Sequence, residues 1–266
     1  MAIRYEKSNH IVTITIDRYE RRNSIDPDHA EEFVACWERF RDDPDAWVAI
    51  VTGVKDAFCA GGDLLAMGDI ARELAATGTS ITLGRMSNYG KGGFTLKGFE
   101  LFKPIIAAVN GFCMAGGMEL LGGTDIRIAS KNAVFSVTEP RRGLFAGGGT
   151  TARLPRQLSW PAAMELLLVA GRVNADRALQ LGLVNEVVAA EDLMETAYRW
   201  AGEIVKNAPL AVQATKKSAL RGFAAGSLEE AYRIEDACSQ EVFRSEDAQE
   251  GANAFLEKRD PVWRAR

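Results

Sequence analysis

The stretch Ala107–Glu119, AAVNGFCMAGGME, decides the fold of this chain. It begins within the apolar run Ile105–Val109, whose length and following turn residues are typical of a buried strand. Ala115–Gly117 then leads into Met118–Leu121, which predicts a helix start. Glycines let a backbone approach a ligand closely, and N–H groups in a first helical turn have no partner inside the helix. The stretch therefore predicts donors for an oxyanion beside the carboxylate of Glu119. Tight packing of strand on helix, with Glu119 in solvent, is the alternative.

A second glycine turn has the same layout. Trp47–Val51 is a continuous apolar run that predicts a strand covered on both faces, and Phe58–Leu64, FCAGGDL, follows it. Asp63 is placed to cap the helix that comes next, because no partner ligand stands at metal spacing. Cys59 is predicted to be a buried structural thiol rather than a nucleophile, since no base lies near it in the sequence.

The order of apolar runs and helical patterns predicts an α/β protein. Strand patterns are frequent up to about residue 190, and the rest of the chain is helical. We therefore predict a core over 1–190 and a helical subdomain over 191–266, which packs either on a neighbouring subunit or on its own core. Residues 69–98 combine weak periodicity with scattered glycine, serine and threonine. That pattern predicts a mobile insertion that covers a pocket.

Charge and composition exclude several classes of function. The net charge is −4 and the charges are interspersed, which argues against nucleic acid as a partner. There is no apolar run of about 18 residues, so no membrane span is expected. The four cysteines are scattered and the N-terminus lacks a signal-peptide core, which favours a cytoplasmic protein with reduced thiols. With only two histidines, a His-based triad or a multi-His metal site is not expected, and we predict no metal.

Several motifs, in order, resemble those of the enoyl-CoA hydratase/isomerase (crotonase) superfamily over roughly residues 3–260. The matching segments are FCAGGDL at Phe58–Leu64, AAVNGFCMAGGMEL at Ala107–Leu120, TEPRRGLFAGGGTTARLPR at Thr138–Arg156, AGRVNADRALQLGLVNEVV at Ala170–Val188 and AFLEKRDPVW at Ala254–Trp263. The resemblance implies a spiral of ββα units and a helical C-terminal oligomerisation region, in a homotrimer or a dimer of trimers. It also implies an acyl-CoA substrate and no cofactor, because coenzyme A is part of the substrate.

The resemblance also implies roles for individual residues. The N–H groups of Gly62 and Gly116 would hold the thioester oxygen, where fixed donors stabilise the charge that develops. Glu119 would take a proton from the attacking water, and Glu139 would protonate the alpha carbon. Substrate contacts are implied for a further set of residues: Ala60, Gly61, Asp63 and Leu64 in the first glycine turn, Gly147 at the water site, and Arg21, Arg22, Phe255 and Lys258 for coenzyme A. Ordinary solvated charge is the alternative for the two arginines and for Lys258.

The chain departs from the family pattern at a few positions. Pro140 follows Glu139 where an aliphatic residue is more usual, and its fixed φ could redirect the glutamate. Ala146 replaces a frequent proline, and the bulky Met118 beside Glu119 could narrow the acyl pocket. We predict an enoyl-CoA hydratase that adds water to a trans-2-enoyl-CoA. The alternatives are another crotonase reaction, such as isomerisation or dehydration of a specialised acyl group, and a non-catalytic acyl-CoA-binding scaffold. The presence of both glutamates favours hydration, since isomerases generally rely on the second alone.

Overall fold

Two sheets and eleven α-helices make up the part of the chain that the computed structural model describes, residues 2–87 and 93–266. The strands are β1 (Ile3–Ser8), β2 (Ile11–Ile16), β3 (Val48–Gly53), β4 (Ala57–Cys59), β5 (Ile105–Val109), β6 (Phe112–Met114), β7 (Ile126–Ser130), β8 (Val134–Ser136), β9 (Val173–Asn174) and β10 (Glu186–Val188). The helices are α1 (Pro27–Asp42), α2 (Leu64–Thr77), α3 (Ile81–Ser87), α4 (Gly116–Gly122), α5 (Thr150–Gln157), α6 (Trp160–Met164), α7 (Ala175–Gln180), α8 (Leu193–Val205), α9 (Pro209–Ala224), α10 (Leu228–Phe243) and α11 (Glu246–Glu257).

The strands pair in an order that repeats along the chain. The larger sheet runs β1-β2-β3-β5-β7-β10 and is parallel except for the β1–β2 pair. The smaller sheet runs β4-β6-β8-β9, and its first three strands are parallel. Each of β3, β5 and β7 is therefore followed along the chain by a strand of the smaller sheet, and helical turns come after that strand. This repeat is the predicted spiral of ββα units, and a helical C-terminal region follows it, so the predicted fold is confirmed.

The central strands are continuously apolar because both faces of the larger sheet are covered. On one face Val51 and Ile105 pack in a cluster with Trp37 of α1. On the other face Ile50 and Ile106 pack with a separate cluster that includes α8. Helix α8 thus packs on the sheet although it lies within 191–266, while α9 and α10 pack on each other. The division of the chain at residue 190 stays a prediction.

The stretch 69–98, which the sequence predicts to be a mobile insertion, contains most of α2 and all of α3, so much of its described part is helical, and its mobility stays a prediction. Helix α2 begins after Asp63, whose side chain accepts the N–H of Leu65 at 2.9 Å, and it ends at Gly78 in the left-handed region with φ +72°. Its periodicity is weak because only Ala66 and Ile70 are buried. The remainder of the insertion includes 88–92, which lies outside the described residues. Within the described ranges, no helix is both long enough and apolar enough to cross a membrane.

Candidate active site

A cavity of about 930 Å³ opens where the turns after β4 and β6 meet the glycine-rich segment before α5. Most of the residues that the sequence singled out line it: Arg21, Arg22, Ala60, Gly62, Asp63, Leu64, Gly116, Glu119, Glu139 and Gly147. Gly61 lies within the first turn but not on the wall, and Phe255 and Lys258 are not on the wall either. Sequence reasoning missed several wall residues: Met67, Met86, Phe94, Lys97, Arg142 and Arg172.

Gly62 and Gly116 lie next to each other because β4 and β6 are parallel neighbours. Their backbones are so close that a Cβ added to Gly116 would lie 3.3 Å from the nitrogen of Gly62. Within the described residues, neither N–H group donates a hydrogen bond to another protein group. The cavity wall thus carries two adjacent, unpaired backbone donors. Adjacent unpaired donors of this kind are able to stabilise an oxyanion.

The backbone just before α4 is held in an unusual conformation. Ala115 has φ 49° and ψ −117°, a combination that is costly for a residue with a Cβ. The surrounding structure holds it there, since its N–H donates to the carbonyl of Ser136 at 2.9 Å. The neighbouring turn contains Gly61 at φ +99°, where an added Cβ would lie 2.9 Å from the nitrogen of Gly116. Strain of this kind clusters at functional sites, and here it falls on the residue directly before Gly116.

Glu119 is a mostly buried carboxyl group on α4. Burial raises its pKa to about 7, and repulsion from Glu139 acts in the same direction. The hydrogen bond from the N–H of Gly148 and the positive charges of Arg153 and Lys97 oppose this rise in the pKa. A side chain on Gly148 would overlap the carboxyl group of Glu119, so the contact depends on a glycine at that position. The carboxyl group can therefore change its charge near neutral pH.

Glu139 lies on the wall of the same cavity and is only 8% exposed. It begins the short 3₁₀ turn Glu139–Arg142 that follows β8. Burial raises its pKa, and the nearby Arg142 partly offsets this. Its Oε2 atom is buried without a hydrogen-bond partner in the described part of the chain. Pro140 falls in the first turn, where its missing N–H is not needed, and Glu139 still lines the cavity.

Asp63 and Cys59 have structural contacts that occupy their polar atoms. Besides capping α2, Asp63 accepts a hydrogen bond from the guanidinium of Arg18 at 3.0 Å, so the predicted capping role is confirmed. Cys59 is fully buried, and burial raises the pKa of its thiol to about 12, so the thiol remains protonated. Across residues 2–87 and 93–266, no group of three or more His, Cys, Asp or Glu side chains is placed to hold a metal ion.

Two cationic side chains hold the Glu119 region in place, and the sequence alone did not single them out. Nη1 of Arg153 donates to the carbonyl of Thr95 at 2.8 Å and to the carbonyl of Glu119 at 3.0 Å. Nζ of Lys97 donates to the carbonyl of Gly147 at 2.8 Å. Arg153 lies inside a motif that was identified in the sequence. Its contacts join three segments that are distant along the chain, so no local sequence pattern predicts them.

The residues predicted to bind coenzyme A fall into two places. Arg21 and Arg22 line the cavity, and the carbonyl of Arg22 accepts the N–H of Ala60 at 3.1 Å, which places them beside the first glycine turn. Phe255 on α11 is 84% exposed, and Lys258 caps the C-terminus of the same helix in solvent. The latter two residues therefore do not contribute to the cavity of their own chain.

A ββα spiral whose cavity combines free backbone donors with two buried carboxyl groups defines a protein of the crotonase class. A model of the family described as enoyl-CoA hydratase/isomerase matches residues 6–266, and the chain belongs to this family, as the motifs predicted. It is similar to a carnitinyl-CoA dehydratase of Proteus mirabilis, with 39% identity over 96% of this chain and 95% of that protein. An (E)-benzylidenesuccinyl-CoA hydratase of Thauera aromatica is 36% identical over 99% of both chains. The crystal structure of the enoyl-CoA hydratase EchA1 from Mycobacterium marinum superposes with a TM-score of 0.88 at 33% identity, over 100% of this chain and 99% of that one.

Proposed function

We propose that the protein is an enoyl-CoA hydratase, which adds water across the double bond of a trans-2-enoyl-CoA to give a 3-hydroxyacyl-CoA. The observation that carries this proposal is that Glu119 and Glu139 share one cavity with the unpaired N–H groups of Gly62 and Gly116. Its relatives include proteins named as hydratases and dehydratases of CoA thioesters, which supports the same class of reaction.

The two backbone donors account for activation of the substrate. When the oxygen of water bonds to the beta carbon, the electrons of the double bond move toward the thioester carbonyl and leave negative charge on its oxygen. The N–H groups of Gly62 and Gly116 are already in place for that oxygen and need no reorganisation. Loss of one such donor typically costs about 2.7–4 kcal/mol of transition-state stabilisation.

The two carboxyl groups account for the proton transfers. Glu119, with its pKa near 7, accepts a proton from the water as the oxygen–carbon bond forms. Glu139, whose pKa is also raised by burial, donates a proton to the alpha carbon when the enolate electrons return to that atom. Two carboxylates in one cavity oppose double ionisation, so one proton shared by the pair is the favoured state at neutral pH. A proton exchange between the pair and solvent restores the starting state.

The coenzyme A portion would bind along the cationic side of the cavity. Arg21 and Arg22 supply local positive charge for its phosphates, although the chain as a whole is acidic. In a homotrimer or a dimer of trimers, the exposed Phe255 and Lys258 of one subunit would complete the coenzyme A site of its neighbour. This assembly would explain why two residues of the C-terminal motif lie away from their own cavity.

A direct assay tests the proposal. Purified protein is mixed with a short trans-2-enoyl-CoA, and the loss of the conjugated thioester is followed together with chromatographic detection of 3-hydroxyacyl-CoA. The same preparation is given the 3-hydroxyacyl-CoA, since the reverse dehydration uses the same groups, and a 3-enoyl-CoA to detect isomerisation. We expect hydration and its reverse. Binding of acyl-CoA without turnover of any of these substrates would contradict the proposal and favour a scaffold.

A further inference from the structure

Lys97 is a cation on the cavity wall whose donors are not all used. Its Nζ donates to the carbonyl of Gly147 at 2.8 Å, and an ammonium group has two more hydrogens to donate. Among residues 2–87 and 93–266, no carboxylate forms an ion pair with it. Its positive charge nevertheless acts on a group in the cavity, because it lowers the pKa of Glu119. A lysine in this position can bind a negatively charged group that enters the cavity.

The part of the substrate that Lys97 would meet depends on how the substrate must lie in the cavity. The thioester oxygen is held by Gly62 and Gly116, and the glutamates act on the two carbons that follow, so the rest of the acyl chain continues beyond Glu119. Arg22 lies beside Ala60 at the thioester end, whereas Lys97 is bonded to Gly147, whose neighbour Gly148 donates to Glu119. Lys97 therefore lies on the Glu119 side of the cavity, whereas the arginine pair lies beside the first glycine turn.

The rest of the wall beside Lys97 is mainly apolar. Phe94 packs so closely on Gly116 that an added Cβ would lie 3.0 Å from its ring, and Met67 and Met86 would lie 3.0 Å and 3.4 Å from a Cβ added to Gly62. Such a wall packs well on the methylene groups of an acyl chain, but it gives a cation at the end of the chain no partner. A substrate that ends in a carboxylate would supply this partner, whereas a quaternary ammonium group would be repelled.

We propose that Lys97 makes the acyl pocket selective for 2-enoyl-CoA substrates whose acyl chain ends in a carboxylate. This inference rests on the proposed hydration and adds the class of acyl group. The carboxylate would accept one or two hydrogen bonds from the ammonium group, while the coenzyme A phosphates contact the arginines at the other end.

The test compares two substrates that differ in a single group. One is the trans-2-enoyl-CoA of a six-carbon chain that ends in a carboxylate, and the other ends in the isosteric primary amide. The wild-type protein should favour the carboxylate in kcat/KM by about tenfold, the size expected for a hydrogen bond to a charged group, and less as salt rises. Lys97→Met should abolish the preference, Lys97→Arg should keep it, and Lys97→Glu should reverse it.

Two controls separate the possible failures. The ratio of the two kcat/KM values cancels any effect of Lys97 on Glu119 that is common to both substrates. Lys131→Met removes an exposed lysine outside the cavity and should leave the ratio unchanged. Equal hydration of both substrates, with no response of the ratio to Lys97, would overturn this inference and leave the hydratase proposal standing. Absence of turnover with either substrate and with short neutral enoyl-CoA would overturn the proposed function itself.

Discussion

Glu119 combines three features that a proton-transfer group needs. It is mostly buried, its pKa is raised to about 7, and one oxygen accepts a hydrogen bond from Gly148 that fixes its direction. A base works best when its pKa lies near the working pH. The acid side of the pH–rate profile should therefore follow ionisation of Glu119, with the rate rising as pH increases through about 7.

Arg153 is expected to set the pH at which the hydration rate rises. Its positive charge favours the ionised form of Glu119, so removing that charge in Arg153→Met should raise the pKa of Glu119 further. The acid limb of the kcat profile should then move to higher pH, and Arg153→Lys should restore it in part. Arg156→Met, which removes an exposed arginine from the same helix, is the matched control. An acid limb that stays at the wild-type position in folded Arg153→Met would show that Arg153 does not tune Glu119.

At the scale of elements, the site depends on two strand-to-helix turns that touch each other. Gly61 and Gly78 both have positive φ, but only Gly61 faces the second turn, and the space around Gly78 is open. Alanine at either position should cost about 1–2 kcal/mol of stability from left-handed strain, and at Gly61 the contact of the added Cβ with Ala115 and Gly116 adds to that cost. Gly61→Ala should in addition displace the donor of Gly116 and lower kcat/KM by at least about 10²-fold.

Urea unfolding and steady-state kinetics on the two variants check this expectation. Gly78→Ala should lose stability while keeping its kcat/KM, because its added Cβ meets no other atom within 4 Å. If Gly61→Ala, assayed where urea unfolding shows it to be folded, were no slower than Gly78→Ala, close contact of the turns would not be what aligns the donors.

The sequence predicts elements well where burial dictates the pattern. The apolar runs at Trp47–Val51 and Ile105–Val109 correspond to β3 and β5, both wholly or almost wholly buried, and the helical pattern after about residue 190 corresponds to α8–α11. The apolar pattern does not predict the extent of α2. The outer positions of this helix include Leu64, which lies on the cavity wall and is 65% exposed. When apolar residues line a cavity as well as a core, they occupy more than one face of the helix, and their spacing no longer shows a clear helical period. The cap at Asp63 predicts where α2 begins, but the weak helical period does not extend that prediction to its end at Gly78.

Residues of the candidate site could be predicted only where they lie within a recognisable sequence motif. Gly62, Gly116, Glu119 and Glu139 lie on quoted motifs and the structure brings all four to one cavity. Lys97 could not be found, because its position depends on a contact with Gly147, fifty residues away in the chain. Contacts of this kind are set by packing between elements and leave no spacing in the sequence.

At the scale of the whole molecule, the C-terminal helices expose many large apolar side chains. They are Leu220, Phe223, Leu228, Tyr232, Phe243, Phe255 and Leu256, each more than half exposed. Apolar surface concentrated in this way is typical of an interface between subunits. A homotrimer or dimer of trimers, and a cytoplasmic location, stay predictions.

Truncation before Ala248 tests the link between assembly and binding. It removes most of α11 together with Lys258, so light scattering should show smaller particles and calorimetry should show weaker binding of coenzyme A. Lys258→Ala should weaken binding without changing the assembly, and the loss should shrink at high salt because salt screens exposed charges. Lys131→Ala serves as the control for loss of an exposed lysine. A truncated protein of unchanged mass that binds coenzyme A normally would refute both parts.

Glu119 and Glu139 are proposed to act on the substrate as one acid–base unit. The most direct measurement is the hydration rate of a trans-2-enoyl-CoA for Glu119→Gln, Glu139→Gln and the double variant. Glu6→Gln, at an exposed position outside the cavity, is the control. Each single variant should lose at least about 10²-fold in kcat while binding an unreactive acyl-CoA analogue normally. The double variant should be about as slow as the slower single variant, since members of a unit are not additive. Near-normal turnover in either single variant, or a double loss equal to the product of the two single losses, would contradict the account.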